Sequence, residues 1–202
     1  MESWTESLIK KLGQDNFQKV QQTAIGIAGA GGLGSNCALN LCRVGFKKLV
    51  LVDFDTVSSA NLDRQFYFAD QVGQDKVSAL KDNLSRVNPG LEIVCHKQRI
   101  SQVNARELFC DCAIIAECLD SAESKSMLVA QLLPCVKLIV AVSGLGGWGN
   151  SDSIKTHKIK DNLIIIGDLE SDISARPALS PRVNIAAAKQ ADIILEFIIK
   201  SC

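Results

Sequence analysis

Short apolar runs alternate along this chain with segments whose apolar residues recur every three or four positions. That alternation of strand and helix signals predicts a parallel sheet with crossover helices. Residues 23–28 form the first predicted strand, which runs straight into glycines. Residues 34–44 read as a helix stopped by Gly45. Residues 48–53 are nearly all apolar, as in a strand covered on both faces. Val77, Leu80, Leu84 and Val87 mark a helix over 76–87, ended by Asn88-Pro89-Gly90. Strands follow at 92–98, 112–118 and 137–143, separated by helices at 101–109 and 122–133. After the glycine-rich stretch 144–150 the period changes. Residues 153–158 and 162–166 read as a hairpin around Lys160-Asp161, and residues 182–199 as a closing helix. Residues 1–20 read as a helical extension outside the sheet. The expected fold class is α/β: a Rossmann-like, mostly parallel sheet with helices on both faces, extended by a C-terminal hairpin and closing helix. One domain spans residues 1–202.

Three places in this pattern carry chemistry. The first is Gly29-Ala30-Gly31-Gly32-Leu33-Gly34, between the first strand and the first crossover helix. Glycines there permit a tight turn and bring backbone N–H groups and a helix N-terminus close to phosphate oxygens. Asp53 closes the second strand about twenty residues on, where a carboxylate accepts hydrogen bonds from ribose hydroxyls. Together these predict nucleotide binding through Gly29, Gly31, Gly32 and Asp53.

The second place follows Asp53: Asn61, Arg64 and, at a helix start, Lys76. A triphosphate that must release pyrophosphate needs more cation than a dinucleotide does. By spacing alone, Arg64 and Lys76 read equally as solvated surface charges. The third is Asp120, just beyond the apolar strand 112–118. A carboxylate at that strand end faces the ligand crevice and suits a magnesium ion shared with phosphate oxygens. Alone, it reads somewhat better as the N-cap of the next helix.

Charge and cysteine usage narrow the classes. Twenty-two basic residues balance 22 acidic ones, which argues against a broad basic surface for nucleic acid. No apolar run approaches the roughly 20 residues of a membrane span, and residues 1–13 carry no signal-peptide pattern. Most of the 8 cysteines fall inside apolar runs, as expected of reduced thiols in a cytoplasmic protein. Cys110-Asp111-Cys112 is a poor chelating pair, so no zinc is expected. His96 and His157 sit alone in strand-like segments and read as surface or filling residues.

The set GxGGLGS at 29–35, DxDxVxxxNLxRQ at 53–65, VGxxK at 72–76 and Asn88-Pro89 resembles the ubiquitin-activating-enzyme-like superfamily. Within it the chain resembles the ThiF and MoeB adenylyltransferases. The glycine-rich segment 144–150 and the tail from Leu179 to Asp192 look like the short ThiF subfamily. The resemblance implies ATP- and Mg²⁺-dependent adenylation of the Gly-Gly terminus of a ubiquitin-fold sulfur carrier, ThiS, by a homodimer in thiamine thiazole synthesis. By motif position it implies that Gly29, Gly31 and Gly32 approach the phosphates, and that Asp53 holds the ribose. Asn61, Arg64 and Lys76 would bind phosphates, and Asp120 would serve the magnesium. Arg64, Lys76 and Asp120 become the expected catalytic set.

The alternatives are adenylation of another carrier or of a small carboxylate, a non-catalytic nucleotide or ubiquitin-like-protein binder, and a nicotinamide-dependent oxidoreductase. Longer members carry two CxxC zinc pairs, and many carry a cysteine in the late crossover loop; this chain has neither. Cys118 reads as a packing residue. The family's N-terminal arginine is missing too, leaving Lys10 and Lys11, with Arg176 and Arg182 as candidate substitutes. Residues 168–181, polar and proline-bearing, are the expected mobile cover over the carrier's tail.

Overall fold

The structure, a computed structural model, describes residues 3–201. Two short helices open it, α1 (Trp4–Leu12) and α2 (Gln14–Gln22). They replace the single helix expected over residues 1–20. Gly13, at φ +80°, takes a left-handed backbone that ends one helix and starts the next. Leu8, Phe17 and Val20 bury the apolar side of the pair.

The sheet strands are β1 (Ala24–Ala28), β2 (Lys48–Val52), β3 (Glu92–His96), β4 (Ile114–Glu117), β5 (Leu138–Val142), β6 (Lys155–Lys160) and β7 (Leu163–Gly167). Between and after them lie α3 (Gly32–Arg43), α4 (Lys76–Val87), α5 (Ala105–Leu108), α6 (Ala122–Leu132) and α7 (Ser180–Lys200). The strand order is β3-β2-β1-β4-β5-β7-β6. Every neighbouring pair is parallel except β6 against β7, the expected hairpin at the sheet edge.

Alternate residues along each central strand point to opposite faces. Ile25, Ile27, Leu49, Leu51, Ile114 and Val140 pack on the side covered by α3, α4 and α7. Val50, Val52, Ile115 and Ile139 pack on the other, with Leu108 of α5 and Leu128 of α6. Burial on both faces explains why these strands read as continuous apolar runs.

The helix expected over 101–109 shrinks to the single turn of α5. Val103 in that stretch is 94% exposed, so only Ala105, Leu108 and Phe109 supply an apolar side. Residues 109–111 form a turn, and β4 starts at Ile114 rather than at Cys112. The closing helix starts two residues early, with Pro181 in its first turn, where its missing N–H has no intrahelical partner to lose.

From β1 the chain crosses to β2 on one side, and β4 lies on the other. That reversal of direction opens a crevice beyond the C-terminal ends of β1 and β4, where doubly wound sheets bind ligands.

Candidate active site

The glycine loop leaves β1 at Gly29, whose φ is +96°. A Cβ there would stand 2.7 Å from the Cys118 carbonyl oxygen, so the loop runs against the end of β4. A Cβ on Gly34 would collide with the Gly29 carbonyl. Glycine thus lets α3 begin directly beneath the loop. Gly31 is the N-cap and the helix starts at Gly32, two residues earlier than the sequence pattern suggested. No side chain caps this N-terminus, so its N–H groups face the crevice.

Asp53 stands beside the loop. Its Oδ2 accepts from Ala30 N–H at 2.6 Å and its Oδ1 from Asp55 N–H at 2.8 Å. The carboxylate is oriented by backbone and keeps lone pairs for a ribose. Tyr67, the chain's single tyrosine, fastens the other side of the loop. Its buried hydroxyl donates to the Ala30 carbonyl at 2.7 Å, with the Lys76 carbonyl at 3.3 Å. Burial, then the charge of Asp53, pushes that phenol well above its ordinary value, so it remains a donor.

The segment carrying Asn61 and Arg64 is tied to α3. Phe66 N–H donates to Ser35 Oγ at 3.0 Å, and Asn36 Nδ2 donates to the Arg64 carbonyl at 3.0 Å. The Arg64 guanidinium rests on Asp63 at 2.6 Å and on the Ala60 carbonyl at 3.0 Å. Lys76, 7% exposed, rests on Asp55 at 2.9 Å. Each cation thus rests on a carboxylate at the rim of the crevice. Beside Gly31 the Gln65 amide leaves its Oε1 buried with no protein partner, an open acceptor at the loop.

Asp120 is not the cap of α6. Ser121 takes that role, its Oγ accepting from Ser124 N–H at 3.2 Å. Asp120 is left exposed on the crevice wall and makes no salt bridge among the described residues. One carboxylate beside a phosphate cradle fits a magnesium ion, which takes few protein ligands and completes its shell with phosphates and water. Among the described residues no three His, Cys, Asp or Glu side chains cluster as a metal site.

A single crevice of about 940 Å³ gathers Gly29, Gly31, Gly32, Asp53, Asn61, Arg64, Lys76 and Asp120. Every residue expected from the sequence therefore lines one site, at the large end of small-molecule cavities. Cys118 also lines it, but burial pushes its thiol well above the ordinary value and leaves it protonated at neutral pH.

Three residues that line the crevice, Phe54, Arg99 and Lys125, carried no signal in the motifs, and a fourth, Glu117, stands buried behind Lys125. Phe54 lies under Arg99, whose Cζ stands 3.9 Å from the ring centroid, beyond β2 and β3. Glu117 is fully buried at the end of β4 and paired with Lys125 of α6 at 3.0 Å. Burial raises its carboxyl, against the pull of Lys125 and of the Leu119 N–H. A lone charge inside the apolar run 113–118 was the available signal.

Arg182 is not available as a substitute for the family's N-terminal arginine. It is 5% exposed, bonded to Asp168 at 2.8 Å and to the Gly149 carbonyl at 2.8 Å. It fixes the base of the stretch 168–181, whose far end pairs through Ala178 with Gly147. Arg176, in between, is exposed. His157 bonds the Gly167 carbonyl at 3.0 Å across the hairpin, and His96 lies half-buried at the end of β3.

No described helix is long and apolar enough to cross a membrane. The chain is 36% identical over 122 residues to "Adenylyltransferase and sulfurtransferase MOCS3" of Caenorhabditis briggsae, covering 60% of this chain and 30% of that protein. It is 40% identical over 96 residues to "Ubiquitin-like modifier-activating enzyme 5" of Drosophila sechellia, covering 48% of this chain and 24% of that protein. The matches thus span less than a third of these relatives' lengths. The fold is that of the E. coli tRNA N6-threonylcarbamoyladenosine dehydratase TcdA, solved in complex with ATP. The TM-score is 0.86 at 18% identity, over 95% of this chain and 92% of that one. E. coli MccB with ATP aligns at a TM-score of 0.70 and 20% identity, over 92% of this chain and 58% of that one. A model described as the ThiF family matches residues 5–200, and this chain belongs to that family.

Proposed function

We propose that this chain adenylates the C-terminal Gly-Gly carboxylate of a ubiquitin-fold sulfur carrier of the ThiS type, in the cytoplasm and as a homodimer, in the formation of the thiamine thiazole. The observation that carries the reading is the convergence of the glycine loop, Asp53, Asn61, Arg64, Lys76 and Asp120 on one crevice. The relatives named for a ubiquitin-like modifier and for adenylyl transfer support it.

The carrier carboxylate is ionised at neutral pH and needs no protein base. One of its oxygens attacks the α-phosphorus of ATP. The bond from that phosphorus to the bridging oxygen breaks, and pyrophosphate leaves with the electron pair. The product is an acyl-adenylate. Gly31 and Gly32 N–H groups and the α3 N-terminus cradle the phosphates, and Asp53 orients the ribose. Arg64, Lys76 and Asn61 meet charge that grows on the departing pyrophosphate, so the barrier falls by positioning and fixed electrostatics. Asp120 would hold magnesium, which when bound neutralises phosphate charge.

The test is ATP–pyrophosphate exchange with and without a Gly-Gly-ending ubiquitin-fold chain. Wild type is expected to exchange only with that chain present. Arg64→Ala and Asp120→Ala are expected to lose at least about a hundredfold, as removal of one transition-state donor does, with unchanged melting. Near-normal exchange in either variant removes that residue from the mechanism. Exchange driven by a small carboxylate alone replaces the carrier with another acceptor.

A further inference from the structure

We propose that Lys125, held in place by the buried carboxylate of Glu117, takes hold of the acceptor's carboxylate on the crevice wall opposite the phosphate cradle; this rests on the carrier reading above. Glu117 ends β4 with its side chain fully buried, and its two oxygens engage the Lys125 ammonium at 3.1 and 3.0 Å. Leu119 N–H adds a third contact to Oε1 at 2.7 Å. Desolvating such a pair is unfavourable, and an apolar pair would serve the core as well or better. Stability alone therefore gives no reason for it.

Its position gives one. The Lys125 side chain is 22% exposed and lines the crevice. An ammonium has three N–H donors. Glu117 engages two of them, which leaves one for a ligand. The phosphate-binding residues come from residues 29–76, on the β1 and β2 side of the crevice. Lys125 comes from the β4–α6 side, together with Asp120, Ser143 and Leu169 to Ile173. An anion held there meets a cation other than Arg64 and Lys76.

The acceptor is such an anion, and it must approach the negative charge of Asp120. Like charges at short range in a partly desolvated crevice repel strongly, and a fixed cation on the same wall offsets that. Glu117 touches no substrate. It is a positioning residue, which keeps the ammonium on this wall and prevents its collapse onto Asp120.

The experiment measures binding of three ligands to the full chain. They are ATP with magnesium, 5′-sulfamoyl-adenosine, and sulfamoyl-adenosine carrying an N-glycylglycyl group as a stable mimic of the acyl-adenylate, in which the carbonyl oxygen kept from the acceptor's carboxylate is the atom that Lys125 would hold. Wild type is expected to prefer the glycylglycyl compound to the peptide-free one. Lys125→Met should weaken the glycylglycyl compound about tenfold, the size of one lost charged hydrogen bond, and weaken ATP less than about twofold. Lys125→Arg should restore most of the loss. Glu117→Gln should fall between wild type and Lys125→Met on the same ligand, with ATP binding kept.

The double variant Glu117→Gln/Lys125→Met leaves no uncompensated buried charge, and serves if the single variant does not fold. Equal losses on all three ligands, or none on the glycylglycyl compound, overturn the role of Lys125 and leave the carrier reading standing. A wild type without preference for the glycylglycyl compound overturns both.

Discussion

Gly29 shows how much of the site rests on one residue lacking a Cβ. Its φ of +96° and the Cys118 carbonyl, 2.7 Å from where a Cβ would stand, exclude alanine on two independent grounds. Gly29→Ala is therefore expected to destabilise the fold by about 1–3 kcal/mol and to weaken ATP binding as the loop backs away from the phosphates. Chemical denaturation and nucleotide titration would read both effects, and a variant with wild-type values in each would disprove the cradle. Residues of this kind were legible because their signal is local. The glycines, Asp53, Asn61, Arg64 and Lys76 lie at fixed offsets from strand and helix ends, and all reach the same crevice. Asp120 was ambiguous because either of two neighbouring residues can cap a helix. Ser121 takes the cap, and the carboxylate is left for the crevice. The pairings of Glu117 with Lys125 and of Asp168 with Arg182 were not legible, since nothing in the local pattern names the partner.

At the scale of elements, apolar periodicity identified every sheet strand but misplaced elements whose limits depend on packing. The break at Gly13 follows from its left-handed backbone, and the shortening of α5 from where the apolar surface ends, as the exposed Val103 shows. The stretch 168–181 carries the main consequence at this scale. Its base is fixed by Asp168, which receives Ser171 N–H at 2.7 Å and Glu170 N–H at 3.0 Å as well as Arg182. Burial opposes ionisation of Asp168, but those N–H groups and Arg182 outweigh it and hold the carboxyl below its ordinary value of 3.8. An acid held below its unfolded value contributes stability that is present above the unfolded value and is lost as pH falls through the native one. Wild type should thus lose stability from about pH 4 downward partly through this group. Asp168→Asn should be less stable at neutral pH by about 2–3 kcal/mol, because Arg182 is left without its carboxylate, and should show a flatter acid limb. Urea titrations at stepped pH give the comparison. An acid limb as steep as that of wild type would mean that the loop base is held by other contacts.

For the whole molecule, a neutral net charge conceals a divided crevice. Cations from the β1–β2 side face a wall that carries Asp120 and the Glu117–Lys125 pair. On the proposed reading such a site should favour a polyphosphate with its own divalent ion over a dinucleotide, whose two phosphate charges a glycine loop handles alone. Ligand that binds only the folded chain raises stability by mass action, by about 2.7 kcal/mol at a hundredfold excess over Kd. For a chain of this length that corresponds to a rise in Tm of roughly 5–10 °C. ATP with magnesium should produce a rise of this size. Chelating the magnesium should reduce it, because Asp120 then faces the phosphates without an intervening cation. Arg64→Ala should abolish most of it, and NAD at the same concentration should give little. Thermal melts across these four conditions separate the nucleotide classes before any acceptor is identified. A shift with NAD equal to that with ATP would show that Asn61, Arg64 and Lys76 do not select the triphosphate, and the adenylation reading would lose its physical basis.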